Sequence, residues 1–223
     1  MRDEFWHEKW ATNEIGFDQA NPNPLLRRHF SILDLPLGSC IFVPLCGKSI
    51  DMMWLVQQGY HIVGGELSSI ACKAFFEEQG IPVTVTQIEH FTQYHSPQVT
   101  LLAGDLFYLS REVLGEVHAV YDRAALVALP QATRQRYADF LTQLFQPNIP
   151  MFLISFTYDQ NSMQGPPFSV DSNEVRSLYG ANFEIQLLSD EAVKIASHLQ
   201  VKGLTRASEQ VYCLHPSAQG YST

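Results

Sequence analysis

Residues 40–68 read CIFVPLCGKSIDMMWLVQQGYHIVGGELS. The first six are apolar apart from their cysteine, with Pro44 near the end of the run. Such a run suits a buried parallel strand that stops where proline removes a ladder donor. Gly47 permits a sharp turn, and Ser49 is placed to cap a helix. Met52, Met53, Leu55 and Val56 recur at helical spacing, and Gly59 ends the pattern. Residues 61–65 form the next strand, with Glu66 at its C-terminal end. The stretch predicts one strand–helix–strand unit. In open α/β sheets ligands bind beyond the carboxyl ends of the strands, where an acid about 20 residues past the glycine turn is placed to hold a ribose diol. Gly47 and Glu66 have that separation. The bland alternative is an ordinary unit with a surface glutamate.

The phosphate-binding versions of this unit fit poorly. A P-loop needs GxxxxGK[ST]; Gly47, Lys48 and Ser49 supply the tail, but Phe42 stands in the first glycine's place. A dinucleotide fingerprint needs GxGxxG, and only Gly47 is present, so a pyrophosphate could not approach closely. A ribose-binding acid without a phosphate cradle points to S-adenosylmethionine, which carries no phosphate.

The 223 residues suit a single domain, with residues 1–24 as an N-terminal lid and 216–223 as a flexible tail. Hydrophobic residues make up 46% and charged ones 17%, enough for a substantial core. A formal charge of -9 argues against nucleic acid and anionic membrane surfaces as partners. No apolar run reaches the roughly 18 residues of a membrane span, and the charged, aromatic start MRDEFWHEKW is unlike a signal peptide. Cys40, Cys46, Cys72 and Cys213 show no CxxC pairing, as expected of reduced thiols in a cytoplasmic protein. A monomer is expected.

Before the first strand, Trp6 and Trp10 share a face if their segment is helical, and Phe17 lies in the glycine- and proline-bearing loop that follows. These aromatics either pack down as part of the body or close over a ligand. In the second case an aromatic face attracts a sulfonium by about 0.5–2 kcal/mol. Further along, helices are predicted over 24–35, 68–79 and 130–145, and strands over 83–88, 100–103, 117–121 and 149–158. Strands and helices alternate, which signals a parallel sheet with helices on both faces. The last third breaks the alternation: strands over 183–188 and 210–214 suggest an antiparallel finish.

FWHEKW, VPLCGKSIDM, GGELS, the Gly104–Asp105 turn, YDRAALVALP and the SFTYD…GPPF loop together resemble the thiopurine S-methyltransferases, most nearly the bacterial members. The likeness runs from Trp6 to Leu214. It implies a Rossmann-like, seven-stranded, mostly parallel α/β sheet with an antiparallel final strand. It implies methyl transfer from S-adenosylmethionine to the sulfur of aromatic or heterocyclic thiols, with selenium or tellurium species as further acceptors. Carried over residue by residue, it places cofactor contacts at Trp10, Leu45, Glu66, Asp105, Leu106 and Arg123, and a substrate contact at Phe17. The bottom-up roles agree: Glu66 accepts from both ribose hydroxyls when ionised, and Arg123 ends a strand in the ligand crevice. The structural alternative for Arg123 is an ion pair with a neighbouring acid. Some relatives carry an arginine near residues 197–203, where this chain has His198.

No dedicated general base is required, because a heteroaromatic thiol ionises more readily than cysteine and the thiolate is the reactive form. No metal is expected: His7 and Glu8 open a zinc-protease pattern, but Ala11 replaces its second histidine. Cys46 reads as a small buried thiol rather than a nucleophile. The rival readings are a methyltransferase-like fold that binds a nucleoside without turnover, and another nucleotide-binding α/β enzyme.

Overall fold

The computed structural model describes residues 3–146 and 149–217. The chain forms two compact units, Met1–Val120 and Tyr121–Thr223.

The first unit opens with α1 (Asp3–Ala11) and α2 (Pro24–His29), the latter running on as a 3-10 turn over Phe30–Leu33. Asn23 caps α2 by accepting from the amides of Leu25 and Leu26, while its own amide donates to Asp51 at 2.7 Å. Leu25, Leu26, Phe30 and Leu33 are all buried, as their spacing predicts. The strand–helix–strand unit follows: β1 (Cys40–Pro44), α3 (Asp51–Gln57) and β2 (His61–Glu66). β1 and β2 pair in parallel, from Cys40 opposite His61 to Pro44 opposite Gly65. The helix begins two residues later than its candidate cap; Ser49 Oγ accepts from the Asp51 amide at 3.3 Å, a local turn ahead of the first helical residue.

Then come α4 (Ser69–Gln79), β3 (Thr84–Ile88), β4 (Phe91–His95), β5 (Val99–Ala103), α5 (Arg111–Leu114) and β6 (Ala119–Arg123), whose last three residues belong to the second unit. The strand order of the first unit is β3-β4-β5-β2-β1-β6. β5, β2 and β1 are parallel neighbours, and β1 pairs in parallel with Ala119 and Val120 of β6. Helix-covered parallel strands read as continuous apolar runs, and Ile41, Phe42, Leu101 and Ala119 are fully buried accordingly.

The second unit holds α6 (Gln131–Leu144), β7 (Met151–Thr157), α7 (Ser172–Tyr179), β8 (Phe183–Ala192), α8 (Ser197–Val201) and β9 (Ser208–Pro216). β9 pairs antiparallel with both β7 and β8, the antiparallel finish expected from the sequence. The short α8, which periodicity does not announce, rests on a cluster of Met163, Ile195, Leu199, Leu204 and Ala207. Pro216, the first residue of the expected tail, closes β9; residues 218–223 lie outside the described residues.

The class is the expected α/β, Rossmann-like one, but the described residues hold nine strands, not seven. The surplus is the hairpin β3–β4, which adds to β5 through antiparallel pairing. β4 was not expected. Its turn is Glu89–His90, with Glu89 at φ +38, a conformation that glycine or asparagine normally signals. Its buried residues, Phe91 and Tyr94, also break the alternation of a strand. Among the described residues no helix is long and apolar enough to cross a membrane.

Candidate functional site

Three strand ends of the first unit are tied together at their carboxyl edge. After Pro44, Leu45 turns left-handed at φ +45 and Gly47 at φ +54. Left-handed backbone at a non-glycine residue is uncommon and concentrates at functional turns. The Cys46 amide extends the β1–β2 ladder to Gly65 O at 3.1 Å, and the Gly47 amide then donates to Glu66 Oε2 at 2.9 Å. Glu66 Oε1 accepts from the Ser68 amide at 2.8 Å. Glu66 O accepts from the Gly104 amide at 2.8 Å, which brings in the end of β5.

Glu66 is only 6% exposed. Burial raises its carboxyl pKa above the ordinary value, opposed by hydrogen bonds from the amides of Ser68, Gly47 and Leu67. A carboxylate offers about four lone-pair sites, so acceptor capacity remains beyond these amides. The buried Ser68 Oγ, two residues on, has no hydrogen-bond partner in the protein and does not cap α4.

Leu106 is buried, and its Cδ1 lies 3.3 Å from where a Cβ on Gly65 would stand; Leu109 lies as close. A side chain at Gly65 would therefore crowd the wall beside Glu66, whose leucines would have to give slightly. Asp105 shapes that wall: its Oδ1 accepts from the Phe107 amide at 3.0 Å and caps the 3-10 turn Leu106–Tyr108.

Aromatic residues lie over the glycine turn. Trp10, buried on α1, comes within 3.2 Å of the position of a Cβ on Gly47. Phe17 stands edge-on to Trp10 and to Trp6, with centroids 5.6 Å apart in both pairs, and is 39% exposed. The periodic reading of α1 thus places Trp6 and Trp10 about one Phe17.

Six of the seven residues singled out in the sequence, Trp10, Phe17, Leu45, Glu66, Asp105 and Leu106, belong to the first unit. Arg123 is the last residue of β6 and belongs to the second. It is followed by Ala124 at φ +64, another left-handed non-glycine residue at a strand end. Asp122 braces that turn: fully buried, it accepts from Tyr137 Oη at 2.6 Å and from the Leu126 amide at 3.2 Å. Sequence reasoning considered this aspartate only as a possible ion-pair partner of Arg123, since nothing local marks it as buried. Burial raises its carboxyl to about 6, against the pull of those hydrogen bonds.

The arrangement disfavours a phosphate ligand. The Gly47 amide is committed to Glu66, and the Lys48 ammonium contacts Glu78 Oε1 at 2.5 Å and Asp18 Oδ2 at 3.3 Å. It also disfavours Cys46 as nucleophile: the thiol is buried, and desolvation, with Cys72 and Glu66 nearby, pushes its pKa well up.

The family model described as Thiopurine S-methyltransferase (TPMT) matches residues 1–217. A thiopurine S-methyltransferase of Acinetobacter baylyi is 44% identical over 197 residues, covering 86% of this chain and 90% of its own. One from Nitrosospira multiformis is 43% identical, with 96% and 98% covered. Among solved structures, the Burkholderia thailandensis 1,6-didemethyltoxoflavin-N1-methyltransferase with bound S-adenosylhomocysteine aligns at TM-score 0.62 and 14% identity, covering 96% of this chain and 87% of that one. The magnesium protoporphyrin IX methyltransferase of Synechocystis, also with S-adenosylhomocysteine, aligns at 0.60 and 11%, covering 95% and 98%. Those two likenesses concern the fold; the match along the whole sequence carries the assignment, and the chain belongs to the thiopurine S-methyltransferase family.

Proposed function

We propose that this protein is a thiopurine S-methyltransferase that methylates the sulfur of aromatic or heterocyclic thiols. The observation that carries the reading, beside family membership, is the buried Glu66 carboxylate held against the glycine turn, with no free phosphate cradle at that turn. S-Adenosylmethionine supplies an electrophilic methyl on its sulfonium, which the acceptor thiolate takes to leave a thioether and S-adenosylhomocysteine.

The chain's part is to bind and align. Glu66 receives the ribose hydroxyls on its remaining lone pairs, as charge-assisted bonds in a dry setting. Leu106 and Leu109, close about Gly65, offer an apolar wall for the adenine, with the Asp105-capped turn behind them. Leu45 offers its left-handed backbone to the methionine part, and Trp10 an aromatic face for a sulfonium. Phe17, part exposed beside Trp10, contacts the acceptor. Arg123 contributes a planar cation for anionic partners. Alignment of two bound reactants supplies up to about 7–11 kcal/mol in well-oriented systems, and no general base is assigned. The reading takes a monomer in the cytoplasm, with no nucleic-acid partner.

Calorimetry with S-adenosylhomocysteine, NAD and ATP, followed by mass spectrometry of an aromatic thiol incubated with S-adenosylmethionine, tests this. Binding of S-adenosylhomocysteine alone, with methylated thiol as product, is expected. Preference for NAD or ATP would overturn the cofactor, and binding without turnover across a panel of thiols, selenium and tellurium species would overturn the enzyme.

A further inference from the structure

Lys48 sits beside Gly47 on the turn after β1, where it would complete the tail of a P-loop, yet its charge is turned elsewhere. Its side chain is only 12% exposed, unusual for lysine, and its ammonium lies between Asp18 and Glu78. Burial works against the ammonium, but the hydrogen bonds to Glu78 and Asp18 outweigh it and hold the pKa above that of an ordinary lysine. Glu78 belongs to α4. Asp18 belongs to the N-terminal segment, one residue after Phe17, in a turn fixed by its own amide donating to Ile15 O at 2.8 Å. The N-terminal segment therefore meets the glycine turn at two successive residues. The Trp10 ring lies on Gly47, and the Asp18 carboxylate holds Lys48. The first contact is apolar and undirected. The second fixes the position of Phe17 along the chain.

We propose that Lys48 is a positioning residue that latches the N-terminal segment, and with it Trp10 and Phe17, onto the cofactor turn through Asp18. The purpose of the latch rests on the methyltransferase reading; its existence does not.

The test uses the full chain with Lys48→Met, Lys48→Arg, Asp18→Asn and Glu78→Gln. Hydrogen exchange is followed without ligand over residues 12–18, and S-adenosylhomocysteine affinity by calorimetry at a temperature where every variant is folded. Lys48→Met and Asp18→Asn are each expected to speed exchange of that segment and to weaken binding about fivefold, the size of one partly buried ion pair. Lys48→Arg keeps both properties, and the double variant that joins Lys48→Met with Asp18→Asn is no worse than either single one. Unchanged exchange in Asp18→Asn overturns the latch, as do additive losses in the double variant or an equal effect from Glu78→Gln. Asp18→Asn, in a part-exposed loop, carries the test if Lys48→Met does not fold. Faster exchange with unchanged affinity would leave Lys48 structural and overturn its positioning role. Should the parent protein not bind S-adenosylhomocysteine at all, the methyltransferase reading fails, while the exchange measurement still decides the latch.

Discussion

The Gly47 amide donates to Glu66 Oε2 at 2.9 Å, so the turn after β1 and the end of β2 are held as one polar unit across 19 residues of chain. The carboxylate proposed to bind ribose is also a structural acceptor.

That double duty changes what its removal does. Glu66→Ala leaves the amides of Gly47 and Ser68 without their acceptor, at a cost of about 1–3 kcal/mol for each one that stays dry. Stability should fall, and affinity for S-adenosylhomocysteine should fall about tenfold or more. Calorimetry below the variant's melting transition separates the two effects. Because burial raises the Glu66 pKa, the binding that needs the ionised carboxylate should fade on acidification at a higher pH than an exposed glutamate would set. Affinity unchanged in Glu66→Ala would sink the ribose role.

Asp122 makes a prediction about pH. Its carboxyl is raised from 3.8 to about 6 in the folded state. A group with a raised folded pKa binds its proton more tightly when folded. Its contribution is therefore fully present below the unfolded value and is lost as pH rises through about 6. The gap corresponds to about 3 kcal/mol. Asp122→Asn should remove this slope, so thermal melts at about pH 5 and about pH 7.5 should differ less in the variant than in the parent. The amide can still face Tyr137, whose hydroxyl both donates and accepts. Parallel pH profiles for the two proteins would contradict the assignment.

Trp10 tests the aromatic cover. Trp10→Ala uncovers Gly47 and removes the edge that meets Phe17. Truncating a buried tryptophan costs about 3–5 kcal/mol in a closed core; here part of that loss should appear as weaker S-adenosylhomocysteine binding. Removing residues 1–17 should leave a folded protein with little turnover, since β1 to β9 are all retained. Limited proteolysis checks the companion expectation that ligand protects the segment. Equal cleavage rates with and without S-adenosylhomocysteine would reduce it to packing.

For Arg123, Arg123→Lys keeps the charge but loses the planar fork. If Arg123 contacts the reactants, kcat/KM should fall about tenfold, or about 1.4 kcal/mol of transition-state stabilisation, and more for anionic acceptors than for neutral ones. The melting temperature without ligand should change little. Retained activity with a lowered melting temperature would identify a structural ion pair instead.

The chain's local pattern specifies the unit from Cys40 to Glu66 and the alternation that makes the class α/β. Apolar runs, helical spacing and a glycine turn are local, and each is written where it acts. It also placed Trp6 and Trp10 on one helical face. Family motifs marked Leu45, Asp105, Leu106 and Arg123, which no periodicity singles out. Folding sets which charges and amides meet. Glu66 takes the Gly47 amide, Lys48 takes Asp18 and Glu78, and Asp122 is buried against Tyr137 while Glu77 and Glu116 stay exposed. It also decided the hairpin β3–β4, whose turn at Glu89 has no glycine to announce it. A charged side chain looks the same in a sequence whether it ends dry or solvated. Its state depends on partners brought close only by folding, because desolvation and Coulomb energies depend on distance and burial, not on position along the chain.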